Sequence, residues 1–245
     1  MNPARETPRL VAHRGYAARY PENTLEAVSA ALEAGAQYVE VDIQLSADGV
    51  PVLFHDADLA RTTDGAGPVM KRTLAQLRQL SAGEPARFGA RFAGARIPTL
   101  DELVDLLDRW PAVTVFLELK EESLARFGTA TVTEKVLQAS RRLGGRRVLI
   151  SYSGSAIEEV HRHGGVTSGW VLRRYDEASR KQASALAPAF LICNHTKLPP
   201  PPEALWPGPW AWMLYEVTDP GLAMKLRQRG ARYIETMDLA ALAFR

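Results

Sequence analysis

The sequence predicts an α/β protein, a (β/α)8 TIM barrel with a small insertion after the return strand of a β-hairpin. Three observations carry this expectation. Short apolar, strand-like runs alternate with helical patterns from one end of the chain to the other, the signal for βα units and a parallel sheet. The chain has 245 residues, 46% hydrophobic and 24% charged, an ordinary globular composition at a length that one large barrel fills. Of the strand-like runs, one follows its predecessor too closely to be a parallel strand, and the remainder are enough to close a barrel.

The strand candidates are residues 10–13, 38–44, 50–55, 113–120, 147–152, 168–172, 190–194, 211–215 and 232–236. Residues 45–49 alone separate the second from the third, and Asp48-Gly49 lies in that link. A right-handed parallel crossover needs about a dozen residues or more, whereas Asp-Gly between alternating runs marks a hairpin. The third run is therefore an antiparallel return from an extended second strand. Helix punctuation agrees with this spacing. Asn23 and Glu26 form a capping box ahead of Leu25, Val28 and Leu32, with Gly35 past the end. Thr73 with Gln76, and Thr99 with Glu102, open two more helices; Asp219 precedes Pro220 at the start of a last one, which Gly230 ends. Residues 56–98 break the rhythm and read as an excursion over the barrel mouth, inside one domain spanning residues 1–245. The prolines at 199–202 and Trp206-Pro207-Gly208-Pro209 make a stiff loop.

Composition excludes several function classes. A formal charge of +2 gives no global field that points to nucleic acid or a membrane. Arg141, Arg142, Arg146 and Arg147 around Gly144-Gly145 read as a solvated loop. The single cysteine, Cys193, excludes an internal disulfide and suits a reducing compartment. Arg5, Glu6 and Arg9 leave no apolar stretch for an export segment, and no run approaches the ~20 apolar residues of a membrane span. A cytoplasmic protein acting on a small molecule, without stable membrane insertion, is expected.

Active sites of such barrels lie at the C-terminal ends of the strands. The first strand ends in His13-Arg14-Gly15, the second carries Glu40 and Asp42, the return strand ends in His55-Asp56, and the next carries Glu118 and Lys120. Glu40 and Asp42 are two apart and share a face, as do Glu118 and Lys120. Their neighbours Val39, Val41, Ile43, Leu117 and Leu119 are apolar. A charge inside a buried strand is costly unless a partner or a metal neutralises it. One carboxylate alone would simply pair with Arg14 or Lys120. Three converging carboxylates repel unless a cation sits between them, and all-oxygen ligation suits a hard divalent ion, Mg2+ or Ca2+. The hairpin returns His55 to the Glu40–Asp42 segment, where His13 also arrives, so the two histidines suit general acid and base roles. His161 and His163 read as surface residues, and His195 sits in a less telling context. Arg14 and Lys120 beside the metal favour an anionic group, most naturally phosphate. Together these groups point to P–O bond cleavage.

His13-Arg14-Gly15, Pro21-Glu22-Asn23-Thr24, Glu40-Val41-Asp42, His55-Asp56, Arg61-Thr62-Thr63, Ile97-Pro98-Thr99-Leu100 and Glu118-Leu119-Lys120 occur in that order, and the set strongly resembles the glycerophosphodiester phosphodiesterases. The resemblance is close from about residue 10 to residue 120 and looser beyond. It implies a TIM barrel with a small insertion after the His-Asp pair, and hydrolysis of glycerophosphodiesters to glycerol 3-phosphate and an alcohol. It implies Glu40, Asp42 and Glu118 as metal ligands, His13 and His55 as acid and base, Arg14 and Lys120 on the phosphate, and Glu22 and Asn23 shaping the rim. The second half departs from the pattern: Glu216 stands where the family often has Asn, and Thr236-Met237 where it has Thr-Asp. Trp212 and Glu216 share strand parity, so both are expected to face the mouth, with Trp212 against glycerol carbons and Glu216 on a hydroxyl or a cationic headgroup. The alternatives are a core Trp with a rim Glu, a phospholipid lyase stopping at a cyclic phosphate with Trp206 and Trp210 as its apolar rim, and a barrel that binds a phosphorylated metabolite without turnover.

Overall fold

The computed structural model describes residues 7–243; Arg5 and Glu6, on which the expectation about an export segment rests, lie outside them. Nine strands form one sheet among the described residues: β1 (Arg9–His13), β2 (Tyr38–Leu45), β3 (Pro51–Leu53), β4 (Thr114–Leu119), β5 (Arg147–Ser151), β6 (Thr167–Leu172), β7 (Phe190–Asn194), β8 (Ala211–Tyr215) and β9 (Ala231–Thr236). β1 pairs in parallel with both β9 and β2, so the eight parallel strands close. β3 runs antiparallel along the end of β2, with Ile43 opposite Leu53 and Leu45 opposite Pro51. The five-residue link permits nothing else, and the TIM barrel with its hairpin is as expected.

Nine α-helices lie between or beside the strands of the described residues: α1 (Leu25–Glu33), α2 (Leu74–Leu77), α3 (Pro85–Phe88), α4 (Leu100–Leu107), α5 (Glu121–Phe127), α6 (Thr129–Ala139), α7 (Gly154–Arg162), α8 (Glu177–Leu186) and α9 (Pro220–Gln228). Thr73 with Gln76 and Thr99 with Glu102 close the two expected capping boxes, and Asp219 caps α9 through the Leu222 N–H. The first helix differs. Thr24, not Asn23, accepts the Ala27 N–H as its cap, because the Asn23 amide is engaged by Asp42 across the barrel mouth.

Period two sorts the strand side chains. Val39, Val41, Leu117, Leu119 and Leu149 pack outward against α1, α4 and α6. Val11, Phe116, Ile150, Val171, Ile192 and Met213 fill the barrel interior. The N-terminal end of the interior is plugged by aromatics: Tyr38, Phe116, Phe190 and Tyr233 meet edge to face, and Arg9 Nη1 donates to both the Tyr38 and Tyr233 hydroxyls. With the bottom packed, the interior cavity lies toward the C-terminal ends of the strands.

Residues 56–98 hold two 3-10 turns, Leu59–Arg61 and Val69–Lys71, with α2 and α3. Leu59, Val69, Leu77 and Ile97 bury a small cluster on Val52 and Phe54. The stiff loop is also packed down: Trp206 stacks on Tyr175 with centroids 3.8 Å apart, and Trp210 is buried. Trp206 is half-buried there, and Pro207 and Pro209 stay exposed. Arg142 pairs with Asp105 and Asp108, and Arg147 donates to the Leu137 carbonyl. No helix of the described residues is long and apolar enough to cross a membrane.

Gly15 follows β1 with φ +81°. A Cβ there would lie 2.6 Å from the Ala27 carbonyl carbon and 2.7 Å from the Val28 nitrogen. Both are backbone atoms that cannot yield without moving α1. Gly15→Ala is expected to destabilise the chain by about 2–4 kcal/mol, which thermal denaturation measures directly; an unchanged melting temperature would show that α1 tolerates the shift.

Candidate active site

The polar residues gather where the strands end. β1 stops at His13, and the chain then turns through left-handed conformations at Arg14 (φ +56°) and Gly15. That reversal sends the Arg14 side chain back over the mouth, with Nη1 2.8 Å from Glu22 Oε1 and Nε 3.1 Å from Asp42 Oδ2. Asn23 is held at φ +56°; its Nδ2 donates to Asp42 Oδ2 and its Oδ1 accepts the Asp42 N–H. Left-handed non-glycine residues cost about 1–3 kcal/mol each and persist where surrounding contacts impose them.

β2 and β4 pair so that Asp42 lies opposite Glu118, and β1 pairs so that His13 lies opposite Glu40. Ligand atoms from Glu40, Asp42 and Glu118 lie within 4.8 Å of one another, as do those of His13, Glu40 and Glu235. Lys120 Nζ is 2.8 Å from Glu118 Oε1 and 3.3 Å from Asp42 Oδ1. Asp42 and Glu118 thus do pair with the cations, but Glu40 and Glu235 are left short. Among the described residues Glu40 Oε1 is buried with no hydrogen-bond partner; its Oε2 accepts the Arg14 N–H at 3.2 Å and lies 3.9 Å from His13 Nε2.

The electrostatics follow from this imbalance. Burial would raise Asp42, but Arg14 and Lys120 outweigh it and hold the carboxyl well below its ordinary range. Burial, reinforced by Asp42, Glu235 and Glu118, pushes Glu40 well above that range. Burial, then Glu118 and Asp42, pushes Glu235 up to about 8. Burial raises Glu118 despite Lys120. Burial and the Arg14 charge hold the His13 imidazole down to about 3, hence neutral. Without a further cation, protons must neutralise part of the cluster. Its donors are all oxygen apart from His13, and one buried oxygen is vacant, so the residues fit a hard divalent ion.

His55 lies two residues beyond β3, with Nδ1 2.5 Å from Asp56 Oδ1. His13, His55, Glu118, Tyr152, Asn194 and Glu216 line one cavity of about 210 Å3. A groove of about 500 Å3 lies by the β2–β3 turn, among Lys135, Arg142 and Asp105. It holds none of these groups, so chemistry selects the smaller cavity.

Among the substrate-side expectations, Trp212 is corrected. It packs outward with Leu191 and Leu214, its Nε1 donating to the Trp206 carbonyl, and does not line the cavity. Glu216 does line it. Parity fails because β8 ends at Tyr215 and Glu216 takes φ +64°, breaking the alternation; Asn194 Nδ2 then donates to Glu216 Oε2 at 2.6 Å. His161 and His163 are exposed, as expected. Glu235 completes the group: it stands between buried Ile234 and Thr236, the signal that singles out Glu40.

The model of the glycerophosphoryl diester phosphodiesterase family matches residues 13–190. A glycerophosphodiester phosphodiesterase of Caldanaerobacter subterraneus is 46% identical over 98 residues, 40% of each chain. Glycerophosphodiester phosphodiesterase 1 of Mus musculus is 44% identical over 110 residues, 45% of this chain and 33% of its own. The chain therefore spans less than half the length of these curated relatives. A phosphodiesterase of Oleispira antarctica, solved with the product sn-glycerol-3-phosphate, superposes with a TM-score of 0.82 at 26% identity, covering 94% of this chain and 93% of that one.

The crowding has a measurable consequence. Glu235 is protonated in the folded chain up to about pH 8, but its ordinary value is 4.5, so stability falls as pH rises between the two. In chelator-treated protein, Glu235→Gln is expected to be more stable than wild type by about 1–3 kcal/mol at pH 8. The gain should fade as pH falls toward 4.5, where both states bind the proton. A glutamine variant that melts below wild type at pH 8 would contradict this.

Proposed function

The chain belongs to the glycerophosphoryl diester phosphodiesterase family, and from that premise we propose that it hydrolyses glycerophosphodiesters to glycerol 3-phosphate and an alcohol. The observation that carries the reading is the meeting of His13 and His55 with the Glu40–Asp42–Glu118–Glu235 carboxyl cluster, Arg14 and Lys120 at one cavity. Glu40, Asp42 and Glu118 would hold a divalent ion, Mg2+ or Ca2+, which when bound supplies charge to a phosphate oxygen. Glu235, on β9, lies beside His13 and Glu40.

The remaining work falls to the chain's own residues. Lys120 has three N–H donors, and Arg14 has five in a planar fork; their bonds to Glu118, Asp42 and Glu22 leave donors over. We assign those donors to the non-bridging oxygens of the phosphate. One histidine takes a proton from the attacking oxygen and the other returns one to the leaving alkoxide. Asp56 holds His55 through Nδ1, which presents Nε2 for that transfer. Glu216 and Asn194 stand on the cavity wall and are assigned to a glycerol hydroxyl or a cationic headgroup. Residues 56–98 are read as a cover for the mouth within a single domain; the support is Arg61 reaching Glu22, and Glu84 accepting the Glu22 N–H. The one cysteine, Cys193, is a buried free thiol, which suits the reducing cytoplasm.

A panel of glycerophosphodiesters assayed with Mg2+, Ca2+ and chelator tests the reading. Release of glycerol 3-phosphate that stops with chelator is expected; phosphorus NMR showing a lasting cyclic phosphate would make the chain a lyase instead. His13→Ala and His55→Ala are expected to lower kcat by about 10²–10⁴-fold each. Wild-type turnover in either variant would remove that histidine from the mechanism. Binding of glycerol 3-phosphate with no diester cleaved would make the barrel a receptor.

A further inference from the structure

We propose that Arg61 is a positioning residue, whose guanidinium clamps Asp56 to the buried Glu22 and thereby fixes the His55 imidazole at the cavity. The proposal rests on the reading of His55 as an acid–base residue. The Arg61-Thr62-Thr63 segment stands out in the sequence, and nothing in the mechanism above uses it.

The geometry is a double fork. Arg61 Nε lies 2.6 Å from Asp56 Oδ2 and its Nη2 lies 2.9 Å from Asp56 Oδ1. On its other edge, Nη1 donates to Glu22 Oε2 at 2.9 Å and Nη2 to Glu22 Oε1 at 2.6 Å. Asp56 Oδ1 in turn meets His55 Nδ1. Packing does not fix the outer members of this chain, since the side chains of His55 and Asp56 are 32% and 28% exposed. Glu22 is different. Its side chain is 6% exposed, it receives Arg14 Nη1, and its N–H is held by Glu84. Arg61 therefore transfers the rigidity of a buried carboxylate to a half-exposed one, and through it to the imidazole. Supporting contacts of this kind hold a reacting group within its productive orientation.

The argument also says why the residue is arginine. One planar group must satisfy two carboxylates edge-on, and an ammonium is a point charge that cannot hold both forks. Asp56 accepting from Nδ1 selects the tautomer whose Nε2 is free for proton transfer.

The test combines kinetics with a probe that does not need turnover. In Arg61→Gln, kcat is expected to fall about 10–100-fold while KM moves less than about threefold. Arg61→Lys keeps the charge and controls for folding; it is expected to stay within about threefold of Arg61→Gln in kcat. Because Arg61 acts through Asp56, adding Arg61→Gln to Asp56→Asn should cost little beyond Asp56→Asn alone. Nitrogen-15 spectra of the histidine rings should show His55 as a single Nδ1–H tautomer in wild type and as a mixture in both Arg61 variants. Wild-type kcat in Arg61→Lys, losses that multiply in the double variant, or an unchanged His55 tautomer would each overturn the proposal. If wild type cleaves no glycerophosphodiester, the proposed function fails, and the ring spectra still decide whether Arg61 orients His55.

Discussion

Glu40, Asp42, Glu118 and Glu235 crowd one another at the top of the barrel beside two permanent cations, Arg14 and Lys120, and the remaining features of the site answer to that imbalance. Glu40 and Asp42 are each 2% exposed and Glu235 is 4% exposed, so water cannot screen them. Arg14 and Lys120 are enough to keep Asp42 ionised. They do not reach the whole group, and the shortfall falls on Glu40 and Glu235 as strongly raised proton affinity. A folded chain tolerates such a cluster only where something gains from it. On the proposed reading, the gain is a seat for a divalent ion beside two histidines.

The backbone bears part of the strain of building that seat. Arg14, Asn23 and Glu216 all adopt left-handed conformations without being glycine, and all three place polar side chains at the mouth. Asn23 is the clearest case. It gives up the cap of α1 to Thr24, one residue on, and spends its whole amide on Asp42. The fold supplies the counterweight: an aromatic plug at the other end of the barrel, and outward faces packed on helices.

Much of this was legible in the residue order. Alternation identified the strands, and a charge on the inward parity of an apolar strand identified Glu40, Asp42 and Glu118. The short Asp-Gly link identified the antiparallel return that carries His55. The same parity test applied to Tyr233-Ile234-Glu235 finds the fourth carboxyl group. It fails at Trp212, because it assumed that β8 runs on to Glu216, whereas the chain reverses there. Arg61 gave no periodic signal at all. It sits on a 3-10 turn, and its partners Glu22 and Asp56 reach it through tertiary packing that one-dimensional spacing does not encode.

The most direct measurement is calorimetric titration of metal-stripped protein with Mg2+ or Ca2+ at pH 7, repeated in buffers of different ionisation enthalpy. A carboxyl cluster neutralised by protons must give some of them up when a divalent ion takes their place. Saturable binding at one site with proton release, lost in Glu40→Gln, is the predicted result. Binding without proton release, or no binding by a protein that still cleaves its diester, would contradict the account.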